Sequence, residues 1–123
     1  IIQNWINYAD RDLSTAKIIC LHLPDYYEMI AFHSQQAVEK YLKALLVYHE
    51  IEFDRSHNLV YLLDLLSKQM LIDSEKYDKA ILLNGYSVQI RYPDRIIYLT
   101  KEEIESSIQI SDYFRDFVIK IIG

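Results

Sequence analysis

A chain of 123 residues has room for one domain, and at this length folding buries about 68% of the unfolded surface without help from disulfides or a structural metal. Only 2 glycines and 2 prolines accompany a composition rich in Leu, Ile, Lys, Glu and Tyr, which disfavours many-stranded folds with their tight turns and predicts an all-α domain spanning residues 1–123. A net charge of -5 argues against broad, non-specific nucleic-acid binding, where a basic face supplies most of the affinity, and leaves room only for a local basic site.

The single cysteine, Cys20, rules out an intrachain disulfide or a cysteine-built zinc site and reads as a buried, inert thiol. No apolar run approaches the ~20 residues that span a bilayer, and the start IIQNWINYADRDL lacks a basic segment followed by an apolar core. The expectation is a cytoplasmic protein with no membrane contact.

In chain order, Trp5, Ala9, Leu13, Ala16, Cys20 and Leu23 recur at steps of three and four and mark one face of a first helix that ends before Pro24. Asp25 is placed to cap a second helix, about Asp25 to Glu50 and roughly 40 Å long, that buries Ile30, Ala37, Tyr41, Ala44 and Leu45 with Ala31, Val38 and Leu42 beside them. A third starts near Ser56 or Asn58 and shows Leu59, Leu62, Leu63, Leu66 and Met70 on one face. The fourth begins after Asp73 or Ser74, carries Tyr77, Ala80, Ile81 and Val88, admits a close neighbour at Gly85 and ends by Tyr92, which precedes a proline. Thr100 and Glu103 form a capping box that opens the last helix, whose apolar side is Ile104, Ile108, Phe114, Phe117 and Ile121. Short connections make neighbours antiparallel, so the predicted architecture is an up-and-down four-helix bundle with a short additional helix. The expected core holds Trp5, Leu13, Tyr41, Leu45, Leu62, Leu66, Ile81, Phe114 and Phe117.

The stretch FHSQQAVEKYLKALLVYHEIEFDRSHNLVYLLDLL, from Phe32 to Leu66, is the most informative. It sets Gln36, Glu39, Lys40 and Lys43 along one polar stripe of an otherwise apolar helix, so these side chains face solvent, pair with one another, or meet a ligand or second subunit. Glu39 and Lys43 form an i, i+4 pair in the favourable order, and Gln36 with Lys40 adds a rung. Two lysines with His33, one turn before Gln36, also make a local positive patch, and Tyr92 and Tyr98 offer rings for stacking on a base. His57 opens the third helix, where its ring can bond an exposed amide. His22 and His49 close the first two helices and read as surface residues. No pair of histidines has the spacing of a metal site, so no metal is expected.

The QQAVEKYLKALL helix, the Ser56-His57-Asn58-Leu59 helix start, the Arg91-Tyr92-Pro93-Asp94 turn and an amino-terminal AxRDLxxAK pattern from Ala9 to Lys17 together resemble the HEPN domain family, the nucleotide-binding domain of higher eukaryotes and prokaryotes. The resemblance covers nearly the whole chain and implies the same helical fold. It also implies a homodimer, for which the 11 tyrosines would suit an interface.

Ribonuclease toxins of this superfamily carry Arg followed after four to six residues by His, and one toxin subgroup extends this to Arg-x4-His-x-Tyr; arginine holds the phosphate and histidine moves protons. None of Arg11, Arg55, Arg91, Arg95 and Arg115 has a histidine at that spacing. Arg91 to Tyr98 keeps the arginine and tyrosine of the extended motif but has Ile96 in the histidine position, and isoleucine is neither acid nor base. The chain is therefore expected not to be an enzyme. What the resemblance implies instead is a non-catalytic partner of a minimal nucleotidyltransferase, of toxin-antitoxin type, that binds or presents ATP or another nucleotide. Gln36, Glu39, Lys40, Lys43, His57, Arg91 and Tyr92 are the nucleotide- or phosphate-binding candidates, and Tyr98 stands where the toxin subgroup accepts adenylate. The alternatives are a metal-independent ribonuclease toxin acting on RNA and a free-standing nucleotide-binding module.

Overall fold

The computed structural model describes the backbone of residues 1–90 and 99–123 and the side chains of 1–86 and 99–123. Five helices, α1 (Ile2–His22), α2 (Tyr27–Tyr48), α3 (Leu59–Leu66), α4 (Ser74–Ile90) and α5 (Lys101–Ile122), account for the secondary structure, with no strand among the described residues. Side-chain pairings fix their directions. Asp10 and Asp12 in the first half of α1 meet Tyr41 and Lys40 late in α2, so α1 and α2 are antiparallel, and Lys76 with Lys79 against Phe117 and Tyr113 sets α4 antiparallel to α5. The four long helices thus form the expected up-and-down bundle, with α3 as the short extra element.

Helix ends follow local chemistry. Asn58 caps α3 by accepting from the Val60 amide at 3.0 Å, Asp73 accepts from the Lys76 amide at 3.1 Å at the head of α4, and Thr100 with Glu103 closes both arms of the capping box on α5. Asp25 does not cap α2. The N-cap is Tyr26, without a side-chain hydrogen bond, and α2 is accordingly shorter than expected, roughly 33 Å. At its other end the Glu50 amide donates to Val47 and the Ile51 amide to Leu46, a Schellman ending that requires Glu50 to take φ 58 although it is not glycine.

Among the described residues, α2 alone packs against all four other helices, and this explains its sequence. Ile30, Ala31, Ala37, Val38, Tyr41, Leu42, Ala44, Leu45 and Leu46 are all buried, so the helix is apolar on nearly every side. Where α2 meets α5, the Ser111 hydroxyl donates to the Ser34 carbonyl at 2.8 Å and the Ser107 hydroxyl reaches Ser34 Oγ at 3.3 Å, which lets small residues face one another with their polar atoms satisfied.

The core departs from expectation at several positions. Leu13, Tyr41, Leu45, Leu62, Leu66 and Phe114 are buried, but Trp5 and Phe117 are half-buried and Ile81 is 57% exposed. On α4 the inward positions are Ala80, Leu83 and Tyr86, and a three-residue apolar run of Ile81, Leu82 and Leu83 conceals that choice. On α1 the buried face runs through Ile6 and Ile19, leaving Cys20 half-buried rather than buried and Leu23 exposed. Gly85 admits no close neighbour; a Cβ there would meet open space. The side chain of Val88 lies outside the described residues.

Candidate functional site

The α1–α2–α3 side of the bundle carries two carboxylates that each hold one histidine and one lysine. Asp12 uses Oδ1 for His33 Nδ1 at 2.9 Å and Oδ2 for Lys40 Nζ. Glu39 uses Oε1 for His57 Nδ1 at 2.7 Å and Oε2 for Lys43 Nζ at 3.2 Å. A carboxylate only accepts hydrogen bonds, so in both triads the proton sits on Nδ1 and, in a neutral ring, the lone pair sits on Nε2. The triads differ in depth. Glu39 and Lys43 are buried, and the ammonium lies 5.7 Å from the Trp5 ring centroid and 5.8 Å from that of Phe53, so two aromatic faces replace part of its hydration. His57 by contrast keeps 67% of its side chain in solvent.

The loop between α2 and α3 is pinned by the same residues. Gln35 Nε2 donates to the His57 carbonyl at 2.7 Å, the Asp54 amide donates to the Tyr61 hydroxyl at 3.1 Å, and Phe53 lies edge-on to Trp5. Glu52, Phe53, Asp54 and Tyr61 line an open cavity of about 520 Å3 on this loop. A third network crosses the bundle. Asp10 receives the Tyr41 hydroxyl and Arg115 Nε, the latter at 3.1 Å. Burial, then the hydrogen bond and charge of Asp10, push the Tyr41 hydroxyl far above its ordinary range, while Asp10 raises Arg115.

The structure thus brings Glu39, Lys43 and His57 together, and joins Lys40 to His33 through Asp12. Gln36 donates to Gln35 at 3.1 Å rather than forming a rung with Lys40. The two lysines and His33 do not make the expected positive patch: Asp12 and Glu39 neutralise both ammonium groups, and the site is a set of closed ion pairs. His57 does not bond a helix amide, because Asn58 already does so. His22 is exposed as expected, but His49 is half-buried, and its Nε2 is enclosed without a hydrogen-bond partner. Arg91, Tyr92, Ile96 and Tyr98 lie outside the described residues. Asp12, Asp10 and Arg115 carry no sequence signal of a shared site, although the Ala9–Lys17 pattern contains both aspartates. Among the described residues no group of three or more His, Cys, Asp or Glu side chains converges as a metal site, and no helix is long and apolar enough to cross a membrane.

A five-helix bundle with a central apolar helix and polar triads along its seam defines the class of protein, and comparison supplies the family. The profile of the HEPN domain matches residues 2–122, and the chain belongs to the HEPN domain family. Among solved structures, an archaeal HEPN homologue is 26% identical with a TM-score of 0.77, covering 99% of this chain and 98% of its own. A protein from Thermus thermophilus is 26% identical with a TM-score of 0.84 over 97% and 96% of the two chains. A HEPN domain protein from Thermotoga maritima, 22% identical with a TM-score of 0.75 over 97% of each chain, shares the fold. No curated protein matches the chain.

Proposed function

We propose that this HEPN protein is a non-catalytic, homodimeric partner of a minimal nucleotidyltransferase, and that it binds or presents a nucleotide rather than cleaving RNA. The observation that carries the reading is the ribonuclease motif itself: no arginine is followed by histidine at the required spacing, and Ile96 stands where the proton carrier belongs between Arg91 and Tyr98. The geometry of the described histidines supports it. His33 and His57 are each committed through Nδ1 to a carboxylate that also holds a lysine, so neither is paired with an arginine in the manner of a phosphodiester-cleaving site.

In this reading Arg91 and Tyr92, with Gln36 and Lys40 along α2, provide contacts to phosphate and base, and Tyr98 is the acceptor of a nucleotidyl group. Its phenolic oxygen attacks the α-phosphorus of ATP in line, the bond to the bridging oxygen breaks, pyrophosphate leaves, and a base on the transferase takes the phenolic proton. Incubation with a cognate nucleotidyltransferase and ATP, followed by intact-mass measurement, is expected to show one adenylate on the wild type and none on Tyr98→Phe, with no cleavage of transfer RNA by the purified chain. Unmodified wild-type protein, or equal addition to both, removes the proposal, and RNA turnover abolished by Arg91→Ala would restore the ribonuclease reading.

A further inference from the structure

The triad at the α2–α3 junction has a chemistry of its own. His57 Nδ1 is fixed 2.7 Å from Glu39 Oε1, the carboxylate is buried, and Lys43 Nζ occupies its other oxygen at 3.2 Å. The rest of the imidazole lies open, with 67% of the side chain exposed. In its neutral form a ring held this way presents the Nε2 lone pair outward, and the carboxylate behind it stabilises the positive charge that develops when Nε2 forms a bond. The backbone is held as firmly as the ring, since Gln35 grips the His57 carbonyl at 2.7 Å and Asn58 anchors the start of α3. No other described histidine combines these features. His33 has a carboxylate at Nδ1 but only 24% of its side chain exposed, His22 is exposed on the last turn of α1 with no carboxylate against its ring among the described residues, and His49 has its Nε2 enclosed.

We infer that His57 is a phosphoryl-acceptor residue, taking a phosphoryl group on Nε2 from a small activated donor of the phosphoramidate or acyl-phosphate class, with Glu39 as its positioning residue. In the step, the Nε2 lone pair forms the N–P bond while the donor's P–N or P–O bond breaks and its electron pair departs with the leaving group. The product is an Nε2-phosphorylated imidazolium whose Nδ1 proton stays in the hydrogen bond to Glu39, and the leaving group takes its proton from bulk solvent at the exposed face of the ring. The assignment rests on His57 and Glu39 and stands whether or not Tyr98 accepts a nucleotide.

The test uses the full chain and phosphoramidate at neutral pH, read by intact mass and by peptide mapping under alkaline conditions that preserve phosphohistidine. The expected result is a single, acid-labile phosphoryl group on His57, absent from His57→Gln and retained in His33→Gln. The neutral double variant Glu39→Gln/Lys43→Met, which keeps the packing volume of the pair, is expected to slow the reaction roughly tenfold or more at unchanged thermal stability, and Glu39→Asp to recover part of the rate. No phosphorylation beyond that of free imidazole, equal labelling of His22 or His33, an acid-stable product, or an unchanged rate in the folded double variant would each overturn the assignment.

Discussion

Replacing Lys43 with Met should destabilise the domain more than its position on a notionally polar stripe suggests. The ammonium and the Glu39 carboxylate are 3.2 Å apart and almost sealed from solvent, so deleting the cation leaves a buried carboxylate with His57 as its remaining partner. Removing one member of a buried pair costs about 3 to 5 kcal/mol; the retained His57 contact places this case near the low end, about 3 kcal/mol. With an unfolding entropy of about 2.1 cal/mol/K per residue, that corresponds to a fall in Tm of roughly 12 °C. The methionine fills the slot between Trp5 and Phe53, so the loss is of charge compensation and not of packing. Adding Glu39→Gln should therefore return stability to within about 1 kcal/mol of wild type, because the neutral pair no longer strands a charge. Urea unfolding followed by far-UV circular dichroism measures all three proteins. A Lys43→Met cost below about 1 kcal/mol, or a double variant less stable than the single one, would refute the claim that the stripe is a buried, mutually compensating pair.

Tyr41 is held neutral by burial and by donating to Asp10, so its folded-state pKa lies above the ordinary value of 10.0. Stability linked to it is fully present below that ordinary value and is lost as pH rises above it, because the unfolded chain ionises first; unfolding curves at increasing alkaline pH should show a shallower decline for Tyr41→Phe than for wild type, and parallel declines would contradict this. Leu45→Ala, at a wholly buried position on the central helix, should cost about 2 to 5 kcal/mol by urea denaturation, and a cost under about 1 kcal/mol would place Leu45 outside the core. Glu50→Gly should stabilise by about 1 kcal/mol because φ 58 strains a residue with a Cβ, and a lower Tm in the variant would show that Glu50 makes a contact worth more than the strain.

Much of the fold was legible because its signals are local. The leucine periodicity of α3, the Asn58 cap and the Thr100–Glu103 box each act within a few residues, and the structure realises all three. The face of α4 was harder, since consecutive Ile81, Leu82 and Leu83 offer three candidates and only the positions of α2 and α5 decide that Leu83 goes in. The same division runs through the site. Glu39 with Lys43 follows from helical spacing, whereas His57 finds Glu39 across 18 residues and His33 finds Asp12 across 21, pairings that exist only once α1, α2 and α3 have packed. Lys40 reads as part of a positive patch from sequence because the carboxylate that neutralises it, Asp12, comes from another helix.

Whether the chain is the non-catalytic half of a two-protein unit is tested most directly by co-expression with a cognate minimal nucleotidyltransferase followed by size-exclusion chromatography with light scattering. A single species of defined stoichiometry, containing two copies of this chain and the transferase, is the predicted result. Separate elution of the two proteins across protein concentrations well above the micromolar range, with and without ATP, would contradict it.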